Sequence, residues 1–293
     1  MRNPTLTYKD IATSLYVPSI NKSLMQIVNM EKFEDLKSII ICLEDSILDN
    51  QVEEGERNLK NLLANLTEKR VSIFVRPRNF KQFKRLLKFD NIEKIDGFVI
   101  AKFGIDNMDN YTLYFKESFY FMPVLETIDI FEVAKLSQIR DFLMQYQSSI
   151  LSVRIGSEDI GKMLRIKRGC GSTIYDIPIF STIITNIIAI FKPYKFNVTA
   201  PVFSCYKNFK LLQDEVSMDI QNGLFGKSLI HPSQIKIVTE VLKVTKTELV
   251  EAKSTLKIQN SAVIGLDGKM IEKIPHKEWA EEIIMRGSVY GVK

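Results

Sequence analysis

Short apolar runs recur along the chain at 14–18, 38–44, 72–76, 97–102, 119–126, 150–156, 197–203 and 228–231, each ending in a polar or turn-forming residue. Several are continuous, as in Ile39-Ile40-Ile41-Cys42-Leu43, which predicts parallel strands buried on both faces. The gaps between them mostly carry amphipathic helical spacing. After the last run, Pro232 suits a helix's first turn, and Ile235, Val238, Val241 and Leu242 mark one face.

Alternation at this count predicts either a closed barrel or a doubly wound sheet. No GxGxxG follows an early strand, so dinucleotide binding has no support. Gly226-Lys227-Ser228 resembles the end of a phosphate loop, but position 221 is Gln and the triplet leads into a strand. The expected fold is therefore α/β, a TIM (β/α)₈ barrel over 1–245. The remainder, 246–293, is expected to be a helix, a hairpin and a terminal helix, packed on the barrel or on a neighbouring subunit. In it, 262–266 and 269–274 flank the hairpin signal Asp267-Gly268, and a last helix from near Pro275 is expected to bury Trp279 and Ile283 and stop at Gly287.

Composition adds limits. A chain of 293 residues, 45% hydrophobic and 26% charged, has enough apolar mass for one large core. The start, MRNPTLTYKD, has no signal-like apolar stretch, and no run reaches membrane-spanning length, so neither export nor membrane insertion is expected. Cys42, Cys170 and Cys205 form no CxxC pair and no zinc spacing with His231 or His276, and are expected as separate thiols in a reducing, cytoplasmic setting. A net charge of +5 favours anionic ligands, but the basic residues are scattered and no nucleic-acid-binding motif is present.

Barrels place chemistry at the carboxyl ends of their strands. Those ends carry Glu44 with Asp45, Arg76, Lys102, Glu126, Asp159 just past its run, and His231. A scaffold has no need to gather so many ionisable groups at one rim. Glu126 and Asp159 suit Mg²⁺, which takes one or two carboxylates and fills its shell with water and substrate oxygens. Arg76 suits a carboxylate. Ala200 and Pro201, within the seventh run, are further candidate substrate contacts. Blander roles fit some of these residues. Glu44-Asp45 also suits an acidic first turn of a helix, Lys102 a solvent-facing strand end, and Tyr175 and Asp176 a turn before Pro178.

An ordered set of segments resembles the HpcH/HpaI aldolase/citrate lyase family, in particular its citrate lyase β-subunit-like members. They are Leu15-Tyr16-Val17-Pro18, Leu43-Glu44-Asp45-Ser46-Ile47, Val75-Arg76, Ala101-Lys102, Pro123-Val124-Leu125-Glu126-Thr127, Gly156-Ser157-Glu158-Asp159 and the segment 226–235 beginning Gly226-Lys227-Ser228. The resemblance implies a Mg²⁺-dependent carbon–carbon lyase, often a homotrimer. Such an enzyme acts next to a 2-oxo or 3-hydroxy acid through a metal-stabilised enolate, in many members on a CoA ester. It implies Glu126 and Asp159 as metal ligands, Arg76 as the substrate arginine, and Lys22 and Lys102 near the anionic end of the ligand. Glu272, in the hairpin, would be an acid/base reaching a neighbouring subunit's site, with Asp45 the other candidate for the proton.

The chain departs from the commoner pattern at Ser19, at Pro77-Arg78-Asn79 and at Glu272, where an aspartate is usual. The segment 171–178 is similar to a divergent branch, the C–C bond lyases of the TIM-barrel fold. Two further functions stay open on these residues: a class II pyruvate aldolase acting without CoA, and a catalytically silent barrel within a biosynthetic complex.

Overall fold

The computed structural model describes residues 6–29, 31, 33, 35–116, 119–258, 263–266 and 268–293. Contacts divide the chain into two units, Met1–Val238 and Thr239–Lys293.

The first unit is the expected barrel. Its strands are β1 (Thr13–Pro18), β2 (Ser38–Cys42), β3 (Ser72–Arg76), β4 (Gly97–Ile100), β5 (Tyr120–Leu125), β6 (Val153–Ile155), β7 (Val198–Thr199) and β8 (Lys227–Leu229). All pair in parallel, in the order β7-β6-β5-β4-β3-β2-β1-β8. A parallel bridge between Ala200 and Lys227 joins the two ends of that order. It rests on Ala200 N–H to Gly226 O at 2.8 Å and Ser228 N–H to Ala200 O at 3.2 Å. The later strands are shorter than their apolar runs, because β6 and β7 pair over only two or three residues before the chain turns out to form the rim.

Parallel strands need crossovers, and most are helical. Val52–Asn65 follows β2, Phe80–Leu86 follows β3, and Val133–Met144 follows β5. Ser157–Leu164 and Pro178–Phe191 follow β6, and Phe209–Gln221 follows β7. Val52–Asn65 shows why: Leu59, Leu62 and Leu63 share a buried face, and Glu53 and Glu54 favour its amino end. After β4 the described residues hold only the 3₁₀ turns Met108–Tyr111 and Tyr114–Lys116. There Phe103, Tyr111 and Phe115 cover the barrel through ring contacts with Phe83, Phe121, Phe142 and Tyr146. Aromatic burial does there what a helix does elsewhere.

Inside the barrel, Ile40, Phe74, Val99, Met122 and Val124 form a dry column with Leu6 and Ile11, which precede β1 and close the amino end. Tyr16 packs on this column from above. Away from the carboxyl rim, buried hydroxyls pair with one another, as Ser14 does with Ser38 at 2.7 Å and Ser152 with Thr199 at 2.7 Å.

In the second unit, helices Lys246–Lys257 and Lys273–Tyr290 bury Val244, Ala252, Ala280 and Ile283, beside the hairpin β9 (Val263–Leu266) and β10 (Lys269–Glu272). Asp267 of the turn and Ala262 lie outside the described residues. The last helix continues past Gly287 to Tyr290, and it buries Ala280 and Ile283 but leaves Trp279 37% exposed. Ala280 and Ile283 are three apart on one face, and Trp279 lies about 100° around the helix from Ala280.

Cys170 and Cys205, expected as separate thiols, form a disulfide with a Cα–Cα distance of 5.6 Å, and Cys42 is the buried free cysteine. The 35-residue separation concealed the pair. The fold brings together the segment after Ser157–Leu164 and the loop after β7. With that pairing, cysteine usage no longer points to a reducing compartment. Among the described residues, no helix is long and apolar enough to cross a membrane.

Candidate active site

The carboxyl ends of β1, β2, β3, β5, β6 and β8 surround a cavity of about 240 Å³. Its wall includes Tyr16, Asp45, Arg76, Glu126, Arg154 and Asp159. Arg76 is the last residue of β3, where pairing with Cys42 of β2 fixes its position. Glu44 and Asp45 follow β2, Lys102 follows β4, and Glu126 directly follows β5. Asp159 stands in the first turn of Ser157–Leu164, whose amino end begins at Gly156 just past β6.

Glu44, 4% exposed, is the hub of the rim. It accepts hydrogen bonds from the Arg76 Nη2 and the Lys102 Nζ, one on each carboxylate oxygen, and from the Asp45 N–H at 2.8 Å. Arg76 Nη2 also reaches Asp45 Oδ2 at 3.0 Å. Lys102 Nζ lies 3.7 Å from both Asp45 Oδ1 and Asp159 Oδ2. Glu44-Asp45 is thus part of this charged rim rather than a helix cap. Burial and the hydrogen bond to Asp45 raise the pKa of Glu44. Burial also works against ionisation of Asp45, but Glu44, Arg76 and Lys102 hold its carboxyl below the usual value. For Lys102, burial opposes the charge and the bonded Glu44 carboxylate, with Asp159 and Asp45, outweighs it, so its pKa is raised.

Glu126 is 5% exposed. Its Oε1 accepts the Lys102 backbone N–H at 2.8 Å. Its Oε2 lies where a side chain on residue 156 would begin, 1.9 Å from an ideal Cβ, so only glycine leaves it room there. Burial pushes Glu126 up to about 7, against the opposing pull of Arg76 and the Lys102 N–H.

A family model described as C-C bond lyase of the TIM-barrel fold matches residues 5–292. The chain belongs to that family. A comparison with curated protein sequences gives no match. Among solved structures, this C–C bond lyase is similar to CitE from Mycobacterium tuberculosis in complex with magnesium, acetoacetate and coenzyme A. The TM-score is 0.70 at 15% identity over 94% of this chain and 98% of that one. The citrate lyase beta subunit of M. tuberculosis, complexed with oxaloacetate and magnesium, gives 0.60 at 15% identity over 82% and 99%. RipC from Yersinia pestis gives 0.64 at 14% identity over 83% and 100%.

The rim of this lyase brings together Glu44, Asp45, Arg76, Lys102, Glu126 and Asp159, all named from the sequence. Lys22 instead lines a separate groove with Asn21, Asn58 and Asn61. Ala200 and Pro201 are buried at the end of β7, and Val202 is the residue there that lines the cavity. Tyr175 donates to Asp219 Oδ1 at 2.6 Å, beside the buried Lys227–Glu215–Asp219 cluster. His231 stacks on Tyr206 with ring centroids 4.2 Å apart, and its Nδ1 bonds the Ser233 hydroxyl at 2.8 Å. Glu272 belongs to the second unit, where its N–H donates to His276 Nδ1 at 3.1 Å. Sequence reasoning missed Arg154 and Ser157. Arg154 interrupts an apolar strand, and that interruption was the available signal.

Proposed function

We propose that this carbon–carbon lyase depends on Mg²⁺ and acts next to the carboxylate of a 2-oxo or 3-hydroxy acid. The observation that carries the reading is that Glu126 and Asp159 line one cavity with Arg76, while Lys102 gives its N–H to Glu126 and holds its ammonium 3.7 Å from Asp159. Among the described residues no three His, Cys, Asp or Glu side chains converge as a cage. Two carboxylates are nonetheless what Mg²⁺ takes when substrate completes its shell. Glu126 and Asp159 would hold the ion. When bound, it supplies Lewis-acid polarisation of the substrate carbonyl.

The remaining roles belong to the chain. The Arg76 Nη2 is engaged by Glu44 and Asp45, while its buried Nε has no partner and is free to donate to a substrate carboxylate. Ser157 Oγ, also buried and unpartnered, lines the same cavity. Lys102 stays an ammonium at neutral pH and stabilises negative charge at the rim rather than accepting a proton. Asp45, exposed and with its pKa held down by Glu44, Arg76 and Lys102, is placed to take or return a proton within the same unit. Glu272 is the alternative acid/base, if supplied by a neighbouring copy in a trimer.

Calorimetry of Mg²⁺ binding in the presence of pyruvate or oxaloacetate tests this, alongside C–C cleavage assays on acyl-CoA and free aldol substrates. Wild type is expected to take up one Mg²⁺ per chain and E126Q and D159N none. Equal Mg²⁺ uptake by all three proteins would overturn the assignment. Loss of turnover in D45N but not E272Q would place the proton on Asp45.

A further inference from the structure

Below the rim, β6 carries a charge that the reading above does not use. Arg154 is 1% exposed, although it lines the cavity. Its partners are all neutral. Nη2 donates to Ser228 Oγ at 2.8 Å, Nη1 lies 3.3 Å from Met122 Sδ, and the guanidinium faces the Tyr16 ring. Its Nε has no partner, and among the described residues no ion pair involves Arg154.

An arginine keeps its proton, so this is a buried cation without a counter-charge, an arrangement that costs several kcal/mol unless something answers it. Arg76 cannot answer it, being of the same sign, and its own charge is already met by Glu44 and Asp45. Arg154 lines the same cavity as Glu126 and Asp159. The guanidinium carbons of Arg76 and Arg154 lie 5.2 and 5.7 Å from the centre of one Tyr16 ring. The cavity wall thus carries two guanidinium cations, both buried and within about 11 Å of each other.

We infer that Arg154, with Ser228 and Tyr16, forms an anion subsite in the cavity wall that takes the second carboxylate of a short dicarboxylic ligand. This rests on the proposed reading for the place of the first carboxylate, near Arg76, and narrows the acid to a dianion. A carboxylate fits better than a phosphate dianion because the subsite lacks a single negative charge, with one guanidinium and the Ser228 and Tyr16 hydroxyls to share it. The lone charge is then retained for specificity at the expense of stability.

The test is calorimetry with succinate and butyrate, matched in chain length, each with and without Mg²⁺, on wild type, R154K and R154M. Wild type is expected to bind succinate about tenfold or more tighter than butyrate. R154M is expected to abolish the difference while leaving butyrate binding unchanged, and R154K to retain part of it. The ligand-free R154M protein is expected to melt at or above wild type, because a buried unpaired charge has gone. If R154M does not fold, a reduced succinate preference in R154K supports the subsite and an undiminished one overturns it. No succinate preference in wild type, or an equal fall for both acids with a lower melting temperature in R154M, overturns it as well. If the lyase reading alone is wrong, Mg²⁺ uptake and C–C cleavage fail while the metal-free succinate preference persists and still depends on Arg154.

Discussion

Lys102 donates its backbone N–H to Glu126 Oε1 at 2.8 Å while its ammonium bonds Glu44, so one residue ties together the two buried carboxylates of the rim. It does so from a left-handed conformation, φ 52°, which L-residues other than Asn and Asp seldom adopt. The backbone is held there because both hydrogen bonds need it, and such strain collects where function requires geometry.

That conformation makes Lys102 separable into backbone and side chain. K102A keeps the left-handed residue and loses the bond to Glu44; K102G loses the same bond but relieves the strain. Urea denaturation is expected to show K102G more stable than K102A by about 0.5 to 1 kcal/mol, the relief offset by glycine's entropy in the unfolded chain. Both variants are expected to lose cleavage activity. Equal stabilities would show that the left-handed backbone costs nothing.

Gly156 is demanded by space and not by backbone, since its φ of −96° suits any residue. G156A places a methyl where Glu126 Oε2 now lies. The carboxylate must move by more than an ångström, and displacement of that size costs roughly a hundredfold in rate. A folded G156A protein with Mg²⁺ affinity and turnover near wild type would contradict this.

The disulfide predicts a thiol count. Unfolded without reductant, the chain is expected to titrate one thiol, Cys42, and after reduction three. Opening a loop of 35 residues is expected to cost about 3 to 4 kcal/mol by unfolded-state entropy, read from urea midpoints with and without reductant. Three thiols before reduction would refute the pairing.

In the second unit, Glu248 closes a capping box at the start of Lys246–Lys257, with Thr245 N–H and Oγ each 2.8 Å from its Oε2. Burial works against its charge, but the bonds to Thr245 and the Arg286 guanidinium hold its pKa below the ordinary value. A depressed folded pKa contributes stability above the unfolded value of about 4.3, and that stability is lost as pH falls through the folded pKa. E248Q is therefore expected to lower the thermal midpoint at pH 7, with the gap to wild type closing toward pH 3. A gap that widened in acid would reverse the sign.

Much of the rim was legible because barrel strands end where chemistry begins. Glu44, Asp45, Arg76, Lys102, Glu126 and Asp159 each follow an apolar run within a few residues, and closure brings those ends together. Arg154 was hidden for the opposite reason. It lies within a run, where a strand's length conceals which layer a residue occupies. Lys22 and Tyr175 were close in sequence to rim segments and turned elsewhere, since a loop's direction is set by what it packs on.

The sequence by itself determined the alternation of strands and helices, and hence a closed parallel barrel, because runs buried on both faces have few other ways to satisfy their backbones. It also placed Glu126 and Asp159 at neighbouring strand ends, where the structure brings both to one cavity. Only the tertiary structure decided that Lys102 links Glu126 to Glu44, that Cys170 meets Cys205, and that Arg154 lines the cavity without a counter-charge. Each of these depends on distances between segments far apart in the chain, which hydrophobic pattern does not encode.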